Sequence, residues 1–261
     1  MLSYQHLYHA GNAADVHKHG LLAWTLNYLI QKDKPLTYLE THAGRGLYDL
    51  GAEEAVKTGE AAQGIGRLAH GFGADHAYTR ALSETKTRFG ADAYPGSPLI
   101  AASLLRASDK LHLAELHPGE HAHLDATLSP FGATVLKEDG WAMAMSRTPP
   151  TPRRGLMLID PSWEVKTEYT LAAKRLSDLH KRWNVGVLML WYPILVDARH
   201  LEMTREIAHM IPEALIHEIA FPPARLGHGM IGSGLIVVNP PYGFAAEAAR
   251  IAGVFAGRGA R

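Results

Sequence analysis

Short apolar runs alternate along the chain with longer segments whose apolar residues recur every three or four positions. Runs of the first kind are typical of strands buried on both faces of a parallel sheet, and segments of the second kind are typical of covering helices. The predicted strands are residues 36–40, 110–115, 133–136, 155–160, 185–191, 214–219 and 235–238. This alternation predicts an α/β fold with a mostly parallel sheet and helices on both faces.

The predicted helices lie before and between these strands, at residues 13–30, 77–89, 99–107, 119–128, 169–183 and 198–210, with a further helix between the strands at 133–136 and 155–160. Asn12 is the expected N-cap of the first helix, because its side chain can accept a backbone N–H, and Asp15 complements the helix dipole. Ser97 is the expected N-cap of the helix at 99–107, with Pro98 in its first turn.

The first predicted strand ends in a turn that contains glycines, Thr41-His42-Ala43-Gly44-Arg45-Gly46. A strand followed by such a turn is the first half of a nucleotide-binding βα unit. Glu40, Gly44 and Gly46 fit the form of an acid followed by alternating glycines, although His42 stands where the first glycine is expected. Gly44 is therefore a candidate cofactor-binding residue.

The acid that ends the next strand is Glu115, which comes much later than the about 20 residues of an uninterrupted unit. We therefore predict a small inserted helical subdomain at residues 47–93. Residues 1–46 and 94–261 would form the main Rossmann-like domain together with the N-terminal helix. At the carboxyl ends of their strands, Glu115 suits two ribose hydroxyls, and Asp139 with Gly140 suits the edge of an adenine ring.

Composition narrows the possible functions. With 261 residues, 47% of them hydrophobic, the chain can form one large domain, and the absence of cysteine excludes disulfides and thiolate metal sites. Lysine and arginine together number 26, as do aspartate and glutamate, and this balance counts mildly against a nucleic-acid partner. Since no signal-peptide or membrane-spanning pattern is present, a cytoplasmic protein is expected.

The strand at 155–160 ends in a carboxylate, Asp160, followed by Pro161 and, two residues later, Trp163. In open α/β sheets, ligands bind beyond the carboxyl ends of the strands. The Asp160 carboxylate and the Pro161 carbonyl can each accept one N–H of the exocyclic amine of adenine, while the ring of Trp163 stacks on the base. The segment therefore predicts a site that binds an aromatic amine.

Asn239-Pro240-Pro241-Tyr242 is a competing candidate, and it matches the Asp/Asn-Pro-Pro-aromatic signature of amine methylation better than the segment at Asp160 does. The order of the strands favours Asp160, because Asp160 closes the fourth strand counted from the glycine-containing turn. Asn239 closes the last strand and is expected to terminate an outer element of the sheet.

At this point the chain resembles the RlmJ-type 23S ribosomal RNA adenine-N6 methyltransferases. The first matching segments are Met1-Leu2-Ser3-Tyr4, His9-Ala10-Gly11-Asn12, Ala14-Asp15-Val16, Lys18-His19, Asp33-Lys34-Pro35, Thr41-His42-Ala43-Gly44 and Thr58-Gly59-Glu60. Further on come Tyr94-Pro95-Gly96-Ser97-Pro98-Leu99-Ile100-Ala101, Glu115-Leu116-His117-Pro118, Asp139-Gly140, Arg153-Arg154-Gly155, Trp191-Tyr192-Pro193 and Asn239-Pro240-Pro241.

The resemblance implies a Rossmann-like class I methyltransferase fold with an inserted helical subdomain, and S-adenosylmethionine as the methyl donor. The implied donor contacts are His19, His42, Ser97, Glu115, Asp139, Gly140 and Asp160. Asp160 would also be the catalytic residue, and Tyr4 would contact the RNA. Lys18, beside His19, can pair with the donor's carboxylate. The implied partner is 23S rRNA, modified before ribosome assembly by a monomeric enzyme.

One departure from the family's pattern is Ser162-Trp163, where the family usually has Pro-Tyr. Losing a proline frees one φ angle, so loop rigidity and target choice are in question. A DNA adenine-N6 methyltransferase and a non-catalytic RNA-binding protein of the same fold remain alternatives. A metal-dependent hydrolase is disfavoured, because His6, His9, His17 and His19 lack the carboxylate partners of a metal motif.

Overall fold

The computed structural model describes residues 6–164, 167–224, 227 and 229–257. Tyr4, predicted to contact RNA, lies outside these residues. The strands are β1 Thr37–Glu40, β2 Leu47–Asp49, β3 Ala93–Pro95, β4 Lys110–Ala114, β5 Thr134–Leu136, β6 Gly155–Ile159, β7 Val187–Leu195, β8 Leu215–Ala220 and β9 Met230–Val238. The helices are α1 Ala13–Ile30, α2 Glu53–Thr58, α3 Glu60–Gln63, α4 Ile65–Leu68, α5 Ala77–Phe89, α6 Ser97–Leu104, α7 Pro118–Leu128, α8 Gly140–Arg147, α9 Thr167–Arg182, α10 His200–Met210 and α11 Phe244–Phe255.

Within the described residues, seven strands form the main sheet in the order β5-β4-β1-β6-β7-β9-β8. The first five strands in this order, from β5 to β7, are parallel to one another, whereas β9 runs antiparallel to both β7 and β8. The order reverses between β1 and β6, and ligands bind at such a switch point in open α/β sheets. The predicted Rossmann-like α/β fold is confirmed.

Two apolar cores lie on the two faces of this sheet. Leu22 and Leu26 of α1 belong to one core together with Tyr38 of β1. On the opposite face, Leu176 of α9 packs with Met157 of β6. β6 is buried along its whole length because helices cover both of its faces, which explains its continuous apolar sequence.

Helix α1 begins and ends at the predicted residues. The side chain of Asn12 accepts the backbone N–H of Asp15, as expected of the N-cap. Most of α1 is buried, including His17, Lys18 and His19 in its first half. A helix that carries such polar residues into the interior needs partners for each of them, and these partners lie at the sheet edge described below.

Residues 47–93 are predominantly helical and begin and end in an antiparallel ribbon made of β2 and β3. The ribbon was not predicted, because strands of three residues carry little sequence pattern. Ile65, Phe72 and Tyr78 of this segment belong to the same core as α1. The insertion therefore packs on the N-terminal helix rather than around a core of its own.

The structure corrects the prediction for Ser97. Helix α6 begins at Ser97 itself, its N-cap is Gly96, and no side chain caps it. The hydroxyl of Ser97 instead donates to the buried carboxyl group of Glu40. A buried polar group has a stronger need for a hydrogen-bond partner than a helix terminus that water can reach.

Two strands are longer than predicted. β7 continues through Pro193, and β9 begins at Met230 rather than at residue 235. The pairing of β6 with β7 ends at Leu190, so the remainder of β7 pairs with β9 alone. A strand with one neighbour tolerates a proline, because one edge needs no N–H donor.

Candidate functional site

A cavity of about 410 Å³ opens at the carboxyl edge of the sheet. The segments that follow β1, β4, β5 and β6 line it with residues 41–44, 115–117, 139–141 and 160–162, and α1 closes one side. The cavity lies where the strand order reverses. Ten of the residues predicted to form the site line it: Lys18, His19, His42, Gly44, Ser97, Glu115, Asp139, Gly140, Asp160 and Pro161.

The turn after β1 is held by Glu115 at the end of β4. The carboxylate of Glu115 accepts the backbone N–H groups of Gly44 and His117, each at 2.8 Å. A carboxylate has about four lone-pair positions, so Glu115 keeps capacity for two further donors. Gly44 has φ +61°, and a Cβ there would lie 2.6 Å from the hydroxyl of Tyr48. The turn therefore requires glycine at this position.

Asp139 and Gly140 bring the start of α8 against the turn after β1. The side chain of Asp139 caps α8 by accepting the N–H of Ala142 at 2.9 Å. A Cβ on Gly140 would lie 1.9 Å from the carbonyl oxygen of Thr41. The two backbones approach so closely that only glycine fits at this position. This contact determines the position of the cavity wall that the start of α8 forms.

Asp160 meets the N-terminal helix through an ion pair. The Lys18 ammonium donates to Oδ2 of Asp160 at 2.6 Å and lies 3.1 Å from Oδ1 of Asp15. Burial alone would lower the pKa of Lys18, but the two carboxylates outweigh it and raise the pKa above its ordinary value. The Asp160 side chain remains 16% exposed, toward the cavity.

Asp15 links this pair to the segment before α1. Oδ2 of Asp15 lies 2.8 Å from Nε2 of His6 and accepts the backbone N–H of Gly11. Burial would raise the pKa of Asp15, but His6, Lys18 and His19 lower it well below its usual value. Asp15 is therefore an ionised carboxylate that anchors both Lys18 and the chain entering the helix.

A second buried carboxyl group lies behind Ser97. Glu40 accepts hydrogen bonds from the hydroxyls of Ser97 at 2.5 Å and Tyr38 at 2.7 Å. Burial raises the pKa of Glu40 to about 8, against the lowering effect of these two hydrogen bonds. Because the Ser97 hydroxyl donates its hydrogen to Glu40, the lone pairs of Ser97 Oγ remain available to accept a hydrogen bond from a group in the cavity.

The histidines predicted to contact the methyl donor are buried beside the cavity. Burial lowers the pKa of His19 to about 3 and that of His42 to about 4. Nδ1 of His19 lies 2.9 Å from the hydroxyl of Tyr94, and Nδ1 of His42 lies 2.7 Å from Oγ1 of Thr41. Both rings are therefore neutral at physiological pH and fixed by neighbouring hydroxyls.

The structure places Trp163 outside the cavity. Its backbone has φ 58°, and its side chain is 4% exposed and packs against Tyr169, with ring centroids 4.5 Å apart. In this structure the Trp163 ring is not positioned to stack on a base in the cavity, because a left-handed backbone turns the ring into the core on the α9 face. Pro161 and Ser162 line the cavity instead.

Asn239 lies at the ends of the strands opposite to the cavity, and the strand that it closes, β9, lies between β7 and β8 rather than at the outer edge of the sheet, as was expected. Val238 pairs with Leu188 near the start of β7, and the Asn239 amide donates to the carbonyls of Asn184 and Gly186 just before that strand. Tyr242 is 90% exposed. The competing motif is therefore a strand terminator at the end of the sheet opposite to Asp160.

Trp191, which was not among the predicted site residues, lines the cavity. The last paired residues of β6 and β7 are Ile159 and Leu190, so Asp160 and Trp191 are the next residue of each strand. This proximity is determined by the pairing register of β6 and β7. The register of two strands does not follow from composition or from the spacing of residues along the chain.

Among the described residues, no group of three or more histidine, cysteine, aspartate or glutamate side chains is arranged to hold a metal ion. No helix in the described part of the chain is long and apolar enough to cross a membrane.

Comparison with known proteins gives similarity over most of the chain. The family model described as ribosomal RNA large subunit methyltransferase D, RlmJ, matches residues 33–257. The chain is 41% identical over 247 residues to ribosomal RNA large subunit methyltransferase J of Escherichia coli (strain K12), covering 93% of this chain and 88% of that protein. Identity to the methyltransferase of the same name from Haemophilus influenzae is 39% over 248 residues, with the same coverages.

One solved structure shares the architecture. The crystal structure of protein LPL1258 from Legionella pneumophila superposes with a TM-score of 0.85 at 33% identity, covering 97% of this chain and 96% of that one. The similarity therefore includes the insertion as well as the main sheet.

Proposed function

The chain belongs to the ribosomal RNA large subunit methyltransferase D, RlmJ, family, and from this premise we propose that it methylates the N6 amine of an adenine in 23S rRNA. S-adenosylmethionine would supply the electrophilic methyl group. The observation that carries the proposal is that Asp160 and the residues suited to this donor face one cavity.

The half of the cavity nearest β1 and β4 fits the donor. Glu115, oriented by the N–H groups of Gly44 and His117, can accept two ribose hydroxyls. The Ser97 hydroxyl already donates its hydrogen to Glu40, so its oxygen can accept a hydrogen bond from S-adenosylmethionine, for example from the ammonium group. Asp139 and Gly140 would contact the adenine edge, with His19 and His42 as neutral walls.

The half of the cavity nearest β6 fits the acceptor. The ion pair with Lys18 fixes the Asp160 carboxylate through Oδ2. Oδ1 and the carbonyl of Pro161 can each accept one N–H of an adenine amine, which draws that nitrogen toward tetrahedral geometry and stabilises developing positive charge. Since methyl transfer from a sulfonium is an in-line displacement, positioning is the main contribution of these groups.

The shape of the cavity also limits the form in which the target adenine can react. The cavity is recessed at the sheet edge, so the adenine must leave its stack or be presented unpaired before its amine reaches Asp160. We therefore infer that protein-free 23S rRNA, before assembly of the subunit, is the substrate of a monomeric enzyme in the cytoplasm. Assembled 50S subunits should accept less methyl than naked 23S rRNA, and the enzyme should elute as one chain in gel filtration.

The direct test incubates unmodified 23S rRNA with labelled S-adenosylmethionine and analyses the digested nucleosides. Label is expected in N6-methyladenosine with the unaltered enzyme. It is expected to be lost in Asp160→Asn, which keeps the shape of the side chain but makes it a weaker hydrogen-bond acceptor for the adenine amine. Asp178→Asn, an exposed carboxylate on α9, is the matched control. Label in duplex DNA instead of rRNA would identify the DNA enzyme, and RNA binding without label would identify a non-catalytic protein.

A further inference from the structure

An aromatic ring other than the one indicated by the sequence stands beside Asp160. Trp191 follows the last residue of β7 that pairs with β6, just as Asp160 follows the last residue of β6 that pairs with β7. The Trp191 ring lines the cavity, and the Lys18 ammonium lies 5.3 Å from the ring centroid. Neighbouring strands are about 4.8 Å apart, so this ring is adjacent to the carboxylate of Asp160.

The orientation of Trp191 is fixed by a chain of hydrogen bonds that we call the Trp191 relay, made of Trp191, Ser233, His17 and His217. Nε1 of Trp191 donates to Oγ of Ser233 at 2.9 Å. Oγ of Ser233 lies 2.9 Å from Nδ1 of His17, and Nε2 of His17 lies 2.9 Å from Nδ1 of His217. The relay connects the cavity with α1, β9 and β8.

All hydrogen bonds of the Trp191 relay can form together when each residue donates to the next, from Trp191 toward His217. An indole N–H can only donate, so Ser233 accepts from Trp191 and can pass its own hydrogen to His17. Burial lowers the pKa of His17 well below its ordinary value and also lowers that of His217, so both rings are neutral. A neutral imidazole accepts at one nitrogen and donates at the other, which lets His17 donate to His217.

The neighbouring aromatic residue cannot replace Trp191. Trp163, two residues beyond Pro161, is packed into the core against Tyr169 and does not line the cavity. A purine whose amine is bonded to Asp160 and to the Pro161 carbonyl can extend over the ends of β6 and β7. On the β7 side of Asp160, Trp191 is the aromatic residue among the described residues that line the cavity, whereas His42 lies on the β1 side.

We propose that Trp191 is the residue that packs against the target adenine, and that Ser233 and His17 are positioning residues that act on the base through the Trp191 ring. The inference rests on the proposed function, because it assigns the wall of the acceptor half of the same cavity. The Trp191 relay orders the indole before the base arrives, so that less conformational freedom is lost on binding.

The first test measures steady-state methylation of 23S rRNA at saturating S-adenosylmethionine. Trp191→Ala is expected to lower kcat/KM for RNA about 5- to 150-fold, the equivalent of the about 1–3 kcal/mol that stacking contributes per base. Its Kd for S-adenosylmethionine, measured by calorimetry, should stay within about twofold of the unaltered enzyme's. Trp24→Phe, an indole on α1 stacked on Tyr28, is the control and should change neither quantity.

The second test separates positioning from a merely structural role. Trp191→Phe keeps an aromatic face but removes the N–H donor, so its loss should be smaller than that of Trp191→Ala and should appear mainly in KM. Ser233→Ala should produce a similar loss in the unaltered enzyme. Because both changes break the same hydrogen bond, Ser233→Ala should add almost nothing in the Trp191→Phe background.

The outcomes are distinguishable. No label in rRNA with the unaltered enzyme would refute the proposed function, and the role of Trp191 with it. Label together with unchanged kinetics in Trp191→Ala would refute only the role of Trp191, as would a loss of donor affinity at unchanged KM for RNA. Equal losses from Ser233→Ala in both backgrounds would refute the positioning role of Ser233.

Discussion

Nζ of Lys18, in the first half of α1, lies 2.6 Å from Oδ2 of Asp160, at the end of β6. The two residues are 142 positions apart, and their ion pair joins the N-terminal helix to the side of the cavity nearest β6. Asp15 binds the same ammonium at 3.1 Å. Since all three side chains are largely buried, each charge depends on the others for its stability.

Replacing Lys18 by methionine keeps the length of the side chain and removes the charge. Asp15 and Asp160 would then be two buried carboxylates without their cation, and we expect a loss of about 3–5 kcal/mol in the free energy of unfolding. Urea unfolding followed by circular dichroism measures this loss. Lys181→Met, at an exposed lysine on α9, should change stability by less than about 0.5 kcal/mol. Comparable losses in the two variants would contradict the role given to the ion pair.

Glu40→Gln should change how stability depends on pH. Burial raises the pKa of Glu40 in the folded protein to about 8, above the ordinary value near 4.5. The folded state therefore holds a proton that the unfolded state releases, so this group contributes stability below about pH 4.5 and the contribution is lost as pH rises toward 8. Relative to the unaltered protein, the melting temperature of Glu40→Gln should rise between pH 5 and pH 8.

The matched control for that series is Glu120→Gln. The carboxylate of Glu120 is paired with Arg45, and although burial would raise its pKa, the arginine lowers it. Glu120→Gln should therefore lose stability relative to the unaltered protein above about pH 4.5, the opposite sign to Glu40→Gln. Parallel curves for the two variants would show that Glu40 is ionised in the folded protein.

Local signals predicted the elements that are determined locally. The N-cap at Asn12 gives the start of α1, and the continuous apolar run at residues 155–160 gives the position of β6. Helix α11 was missed, although Phe244, Ala248, Ile251 and Val254 are spaced as on one helix face. The short ribbon of β2 and β3 has no comparable pattern.

The site was predictable as far as strand ends determine it. Glu115, Asp139 and Asp160 each follow a strand, and the carboxyl ends of parallel strands converge at one edge. The pairing of Lys18 with Asp160 and the placement of Trp191 depend on which strands are neighbours and on how α1 crosses the sheet. The burial of Trp163 depends on its φ of 58°, for which a non-glycine residue gives no sequence signal.

Gly140→Ala should disrupt the wall of the cavity at the start of α8, where the methyl donor is proposed to bind. The added Cβ would lie 1.9 Å from the carbonyl oxygen of Thr41, so α8 must move away from the turn after β1. We expect at least tenfold weaker binding of S-adenosylmethionine by calorimetry, together with a lower melting temperature. Gly73→Ala, where a Cβ would meet nothing within 4 Å, is the control. Unchanged affinity in Gly140→Ala would place the donor away from this wall.

Asn239 tests the choice between the two motifs. Its amide donates to the carbonyls of Asn184 and Gly186, and its backbone has φ 54°, which asparagine tolerates better than alanine does. Asn239→Ala should therefore cost about 1–3 kcal/mol in the free energy of unfolding, and Asn239→Gly should cost less because glycine relieves the backbone strain. Both folded variants should retain kcat for 23S rRNA within about twofold, whereas Asp160→Asn should lose methylation even at temperatures where it stays folded. A loss of kcat in both Asn239 variants at temperatures where they stay folded would assign catalysis to the second motif and remove it from Asp160.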